Sequence, residues 1–93
     1  MPYISPNLRL PLDKIVAAYR DLRKGYDVSA GEMNYLITRL VITWLPKTPA
    51  YYDYNAVLGV LEAVKLELYR RQLSSYEDLK MAENGDAYTG YGS

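Results

Sequence analysis

Basic residues occur within the most apolar segment of the sequence, residues 57–79. Lys65 falls inside the apolar arc of the predicted helix, and Arg70 and Arg71 lie in charged rows one to two turns after it. A cation within an apolar surface either extends to its edge or meets an anion such as a phosphate or a carboxylate. With Tyr69, these residues are therefore candidates for binding a small anionic, nucleotide-type ligand. The alternative is a solvated polar face with local ion pairs, such as Glu67 with Arg71.

A second group of candidates for the same ligand lies in the connection PKTPAYYDY, residues 46–54. Lys47 supplies a positive charge, and Tyr54 is one of three tyrosines that follow it. Aromatic side chains beside a cation can stack on bases. Such residues also pack against a second copy of the chain, and the sequence favours this interpretation over base stacking.

The residue types exclude most catalytic chemistry. The sequence has no Cys and no His, which removes thiol catalysis and the commonest metal ligand and general base. The groups that remain as candidates for an enzyme are Glu62, Glu67, Tyr69 and Asp78. Their spacing matches no catalytic arrangement. We therefore predict no catalytic residue, no metal site, no cofactor and no enzyme activity.

Composition limits the class of protein further. The 93 residues suffice for one domain, residues 1–93, with a small core. Eleven basic residues balance eleven acidic ones, which argues against general nucleic-acid binding. No run of about 18 apolar residues occurs, and MPYISPNLRL lacks the apolar stretch of a signal peptide. These features predict a soluble cytoplasmic protein without a membrane partner.

Capping signals divide the chain into three helices, at about 11–24, 30–45 and 54–83. Pro11 suits the first position of a helix, so residues 1–10 are predicted to be an extended arm. Ser29 with Glu32 forms a capping box, and Asp53 is the expected N-cap of the third helix. Gly85 should end that helix and leave residues 85–93 as a flexible tail. The predicted fold is all-α, with two shorter helices packed on one long helix.

The third helix predicts self-association. At about 1.5 Å per residue it would be roughly 45 Å long, whereas a compact chain of this size is about 30 Å across. Its apolar residues form one stripe from Val57 to Leu79 and a second stripe beside it. We expect a homo-oligomer in which the second stripe is the interface. The interface residues predicted on that stripe are Leu66, Tyr69, Leu73 and Tyr76.

Three segments resemble a family of small proteins of unknown function that is common in bacteriophages and metagenomic viral contigs. They are GEMNYLITRLV (31–41), NAVLGVLEAVKLELYRR (55–71) and YEDLKMAENGDAY (76–88), with a looser match at MPYI. The resemblance implies a phage accessory protein that works in the cytoplasm of an infected bacterium. It carries no established activity.

Two functions are consistent with these features. The first is a binding module that sequesters a small anionic ligand between subunits, which would counter a host defence. The second is a structural or interaction role in which the apolar surface binds a host or virion protein. Both predict that the chain binds copies of itself.

Overall fold

The computed structural model describes residues 3–88, which are helical apart from short turns. No strand occurs within these residues, and the predicted all-helical class with three helices is confirmed. The third helix is a continuous run of α3, a π turn and α4. In chain order the elements are α1 (Pro6–Leu22), a 3-10 turn (Arg23–Gly25), α2 (Ala30–Trp44), α3 (Tyr51–Leu68), the π turn (Tyr69–Leu73) and α4 (Ser74–Asn84).

α1 begins earlier than the sequence predicted. Ser5 is its N-cap, with φ −63° and ψ 149°, and Pro6 occupies the first turn. The N–H of Leu8 donates to the Ser5 carbonyl over 3.0 Å. Proline is preset for the start of a helix, and the helix starts at the first of two such prolines, which places Pro11 in its interior. The predicted start at residue 11 is therefore wrong, as is the extended arm from Pro6 to Leu10.

α2 has the predicted capping box. The Ser29 hydroxyl accepts a hydrogen bond from the Glu32 N–H over 3.2 Å, and the Glu32 carboxylate accepts one from the Ser29 N–H over 3.0 Å. The helix ends at Trp44, and Leu45 is extended before Pro46, as expected for a residue that precedes proline. The predicted bounds of 30–45 are correct to one residue.

We expect Ser29→Ala to lower the free energy of unfolding by about 1 kcal/mol. The Glu32 N–H loses the Ser29 hydroxyl as its acceptor, and the reciprocal bond from the Ser29 N–H to the Glu32 carboxylate loses the support of the capping box. Thermal unfolding followed by circular dichroism measures this change. The matched control is Ser5→Ala, since Ser5 caps α1 without a side-chain hydrogen bond to the helix backbone. Equal losses at the two caps would contradict the prediction.

The third helical run begins at Tyr51 and not near residue 54. Asp53 is not its N-cap, because its carboxylate reaches back to accept the Ala50 N–H over 2.8 Å, as the third residue of a capped helix does. The run ends at Asn84, where Gly85 takes a φ of 88° and donates its N–H to the Met81 carbonyl over 2.8 Å. This end is the one predicted from Gly85.

The predicted tail, residues 85–93, lies partly outside the described residues, which end at Tyr88. Within the described part, the Asp86 carboxylate accepts a hydrogen bond from the Tyr88 N–H over 2.8 Å. The flexibility of the tail stays a prediction.

The described residues bury little apolar surface. The chain divides into two compact units, Met1–Leu58 and Gly59–Ser93. Val57, at 7% exposure, is the one buried residue in the described part of the chain. Partly buried apolar residues of the first unit include Met33, Leu36, Val41, Leu45 and Pro49. The single domain and the packing of α1 and α2 on the third helix stay predictions.

Candidate functional site

The third helical run contains a π turn at Tyr69–Leu73, in the middle of the predicted site. The Ser74 N–H donates to the Tyr69 carbonyl, five residues earlier, instead of to the carbonyl of residue 70. A π turn holds one more residue than an α turn. It therefore turns every later position back by roughly 100° relative to an unbroken α-helix.

This rotation rearranges the apolar stripes. In an unbroken helix Tyr76 would lie about 80° from Leu68, and the π turn reduces this angle to about 20°. Leu66 and Leu73, seven residues apart, would have been aligned, but the π turn separates them by about 120°. The proposed second stripe of Leu66, Tyr69, Leu73 and Tyr76 is thus not one stripe, which corrects the sequence prediction. The continuous stripe of the second unit runs through Leu61, Val64, Leu68 and Tyr76, with Leu73 at its edge.

Every residue of this continuous stripe is exposed in the single chain. Leu61 is 39% exposed and Leu68 is 57% exposed, with the others between these values or slightly above them. Leu66 is also 57% exposed, but it lies about 160° from Leu68, on the opposite side of the helix. Leu66 therefore lies outside the apolar stripe of the second unit.

Arg70 and Arg71 converge on a single carboxylate. The Arg70 guanidinium donates to both oxygens of Glu67 over 3.1 Å, and Arg71 Nε lies 3.4 Å from one of them. The hydrogen bond from Arg70 is the largest cause that holds the pKa of Glu67 below its ordinary value, and the charges of both arginines add to it. Two cations share one anion, so this cluster has a net charge of about +1 at neutral pH.

The other predicted cation of this region, Lys65, lies 3.6 Å from the Glu62 carboxylate, and its side chain is 74% exposed. An exposed pair of this kind contributes little to stability. Lys65 therefore occupies the solvated position that was the alternative in the sequence analysis. It remains available to a ligand or to another chain.

Tyr69 and Glu77 interact, although they are eight residues apart. Hydrogen bonding to the Glu77 carboxylate, together with the negative charge of Glu77, raises the pKa of Tyr69. The π turn explains the contact, since it brings the two positions to within about 20° of each other around the helix. Sequence reasoning missed this pair because it assumed an uninterrupted α-helix.

A shallow cavity of about 410 Å³ lies beside this pair, at the end of the second unit. Its lining includes three carboxylates and one lysine. Lys80 is itself 3.3 Å from Glu83 and lies 5.6 Å from the centre of the Tyr76 ring. Such an acidic lining does not favour an anionic ligand. The lining residues include Tyr69, Ser74, Glu77, Asp78, Lys80, Met81 and Asp86.

The remaining predicted ligand residues lie in the first unit. Lys47 is in the connection between α2 and α3, and Tyr54 is in the first turn of α3, with 49% of its surface exposed. Lys65, Tyr69, Arg70 and Arg71 belong to the second unit. A site that combines residues of both groups stays a prediction.

The described residues contain no group of three or more His, Cys, Asp or Glu side chains placed to hold a metal ion. Within the same part of the chain, no helix combines the length and the apolar character needed to cross a lipid bilayer.

We expect the pKa of Glu67 to rise in both Arg70→Gln and Arg71→Gln, and to rise more in Arg70→Gln, because Arg70 binds both carboxylate oxygens. A lowered carboxyl pKa stabilises the fold above the ordinary pKa of glutamate, and this contribution is lost as the pH falls through the lowered value. NMR titration of the Glu67 side chain in the three proteins measures the order. A larger effect of Arg71→Gln would contradict it.

Comparison with known proteins identifies a family but no characterised relative. No curated protein and no solved structure matches the chain significantly. A family model described as a domain of unknown function (DUF6899) matches residues 1–87, nearly the whole sequence. The chain belongs to this family, the domain of unknown function DUF6899.

Proposed function

We propose that this protein is a non-enzymatic helical binding module that works as an assembly of several copies. The observation that carries the proposal is the exposure of its large apolar side chains. Trp44 is 56% exposed, Ile42 54% and Leu68 57%, while a single residue of the described chain is buried. Isolated soluble proteins rarely expose contiguous apolar stripes of this length.

Light scattering coupled to size exclusion tests the proposal. We expect a discrete oligomer at micromolar concentration, with a mass that is an integer multiple of 10.6 kDa. A monomer that shows cooperative thermal unfolding at these concentrations would overturn it.

A second candidate function is the binding of a small anionic ligand, such as a nucleotide. It is favoured by the net positive cluster of Glu67, Arg70 and Arg71, in which the arginine side chains are 64% and 56% exposed. Calorimetry against a panel of cyclic nucleotides tests it. We expect Arg70→Gln with Arg71→Gln to abolish binding and Arg20→Gln, a control in the last turn of α1, to leave it unchanged. No binding below millimolar concentration across the panel would remove this candidate.

The phage accessory role implied by the resemblance belongs to the same proposal. An assembly of this kind would act in the infected cell, either by sequestering a ligand of host defence or by binding a host or virion protein. Affinity purification from infected and uninfected cells separates these roles. A stoichiometric protein partner is expected only for the interaction role, and a retained small molecule only for sequestration.

A further inference from the structure

The π turn at Tyr69–Leu73 has two accessible hydrogen-bond registers. In the π register, which the structure shows, the Ser74 N–H donates to the Tyr69 carbonyl. In the α register it donates to the Arg70 carbonyl, as in a regular α-helix. Four of the five residues of the turn are arginine, glutamine or leucine, which are good helix formers. The backbone preference of the turn therefore favours the α register.

The contact between Tyr69 and Glu77 distinguishes the two registers. Both side chains line the cavity at the end of the second unit, and a hydrogen bond joins them. Their positions are within about 20° of each other around the helix in the π register and about 80° apart in the α register. The contact therefore stabilises the π register against the α register.

The nearby ion pairs do not depend on the register. Glu67 meets Arg70 and Arg71 at spacings of three and four residues, which a regular α-helix allows equally well. Lys80 meets Glu83, and both residues follow the turn, so they move together. These pairs stabilise helix on either side of the turn without selecting its hydrogen-bond pattern.

We propose that the turn converts between the π and α registers and that the contact between Tyr69 and Glu77 selects the π register. Loss of the contact lets residues 69–73 become α-helical, which rotates α4 by roughly 100° relative to α3. Tyr76 then moves from about 20° to about 80° from Leu68 around the helix. Both registers are states of one chain, and these residues all lie in the second unit. The inference therefore does not rest on the proposed self-association.

NMR couplings across hydrogen bonds identify the acceptor of the Ser74 N–H in the intact protein. Tyr69→Phe and Glu77→Met each remove one side of the contact. We expect each variant to lower the ratio of the π to the α register about fivefold, as the loss of a typical hydrogen bond does. The double variant should match either single variant within about twofold, because both substitutions remove the same contact. Circular dichroism should show that helicity is retained.

Two control variants make the same chemical changes elsewhere in α4. Tyr76→Phe and Glu83→Met alter residues whose contacts with Lys80 lie entirely after the turn. Each should leave the acceptor of the Ser74 N–H unchanged.

Deletion of Gln72 removes the extra residue of the turn. The Tyr69 carbonyl then stands four residues before the Ser74 N–H, so the same hydrogen bond becomes an ordinary α-helical one. Tyr69 and Glu77 remain within about 20° of each other. In this background Tyr69→Phe should leave the Ser74 acceptor unchanged, because there is no π turn left to convert.

The possible results separate this inference from the proposed function. A Ser74 acceptor at Arg70 in the wild-type protein, an unchanged ratio in Tyr69→Phe or Glu77→Met, or an equal shift in the control variants would each overturn it. A shift in both test variants, with none in the controls, supports it. A monomeric wild-type protein in light scattering would overturn the proposed function alone, since the register is measured within one chain.

Discussion

Leu68→Glu should dissociate the oligomer, whereas Leu66→Glu should leave it intact. The two leucines are the same residue type, lie two positions apart in α3 and are each 57% exposed in the single chain. They differ in direction around the helix by about 160°. Any general effect of glutamate on helicity, charge or solubility is therefore the same in both variants.

The expected difference is large. Burial of a leucine side chain is worth about 1.5–3 kcal/mol, and a symmetric dimer loses it at two positions. Loss of about 3 kcal/mol or more corresponds to at least a roughly 100-fold rise in the dissociation constant. For Leu66→Glu we expect a change of less than about threefold. Analytical ultracentrifugation measures both values, and circular dichroism confirms that helicity is retained.

The reverse result is informative as well. Dissociation by Leu66→Glu alone would mean that the interface follows the stripe expected of an unbroken helix, which contains Leu66 and Leu73. Such a result would contradict the proposed effect of the π turn on the interface. Equal effects of both substitutions would mean that both sides of the helix are covered.

Local signals in the sequence were sufficient to place most helix ends. The reciprocal bonds of Ser29 and Glu32, the stop before Pro46 and the glycine at position 85 all act within a few residues. Physical effects of such short range can be read directly from the sequence. The first helix was misplaced because Pro6 and Pro11 carry the same signal, and the local pattern does not say which proline is the start.

The site was less predictable, since the π turn has no local signature. Its sequence, YRRQL, contains neither glycine nor proline, and every residue in it is a normal helix residue. One extra residue in the turn changes the face on which Tyr76 and Glu77 lie. A helical period applied across the turn therefore assigned later residues to the wrong stripe.

The charged side chains of the third helical run show a second limit of prediction from the sequence. Lys65 stood out because it falls inside the apolar arc, with Arg70 and Arg71 in the charged rows after it. The Glu67–Arg71 pair was anticipated from its spacing of four residues. The sharing of Glu67 by both arginines depends on side-chain rotamers, which the sequence pattern does not determine. It converts two separate candidate cations into one cluster with a smaller net charge.

Val57→Asp should destabilise the protein far more than Val60→Asp. Val57 is 7% exposed, and Val60, three residues later in α3, is 47% exposed. A carboxylate at position 57 would be removed from water without a partner, which costs several kcal/mol unless the group takes up a proton. A loss of about 3 kcal/mol lowers the unfolding midpoint of a chain this size by roughly 12–24 °C. Thermal unfolding at one fixed protein concentration compares the variants, and at about pH 4 the deficit of Val57→Asp should shrink, because protonation removes the buried charge. A deficit that is equal at both positions, or that does not change with pH, would show that Val57 is not the centre of the core.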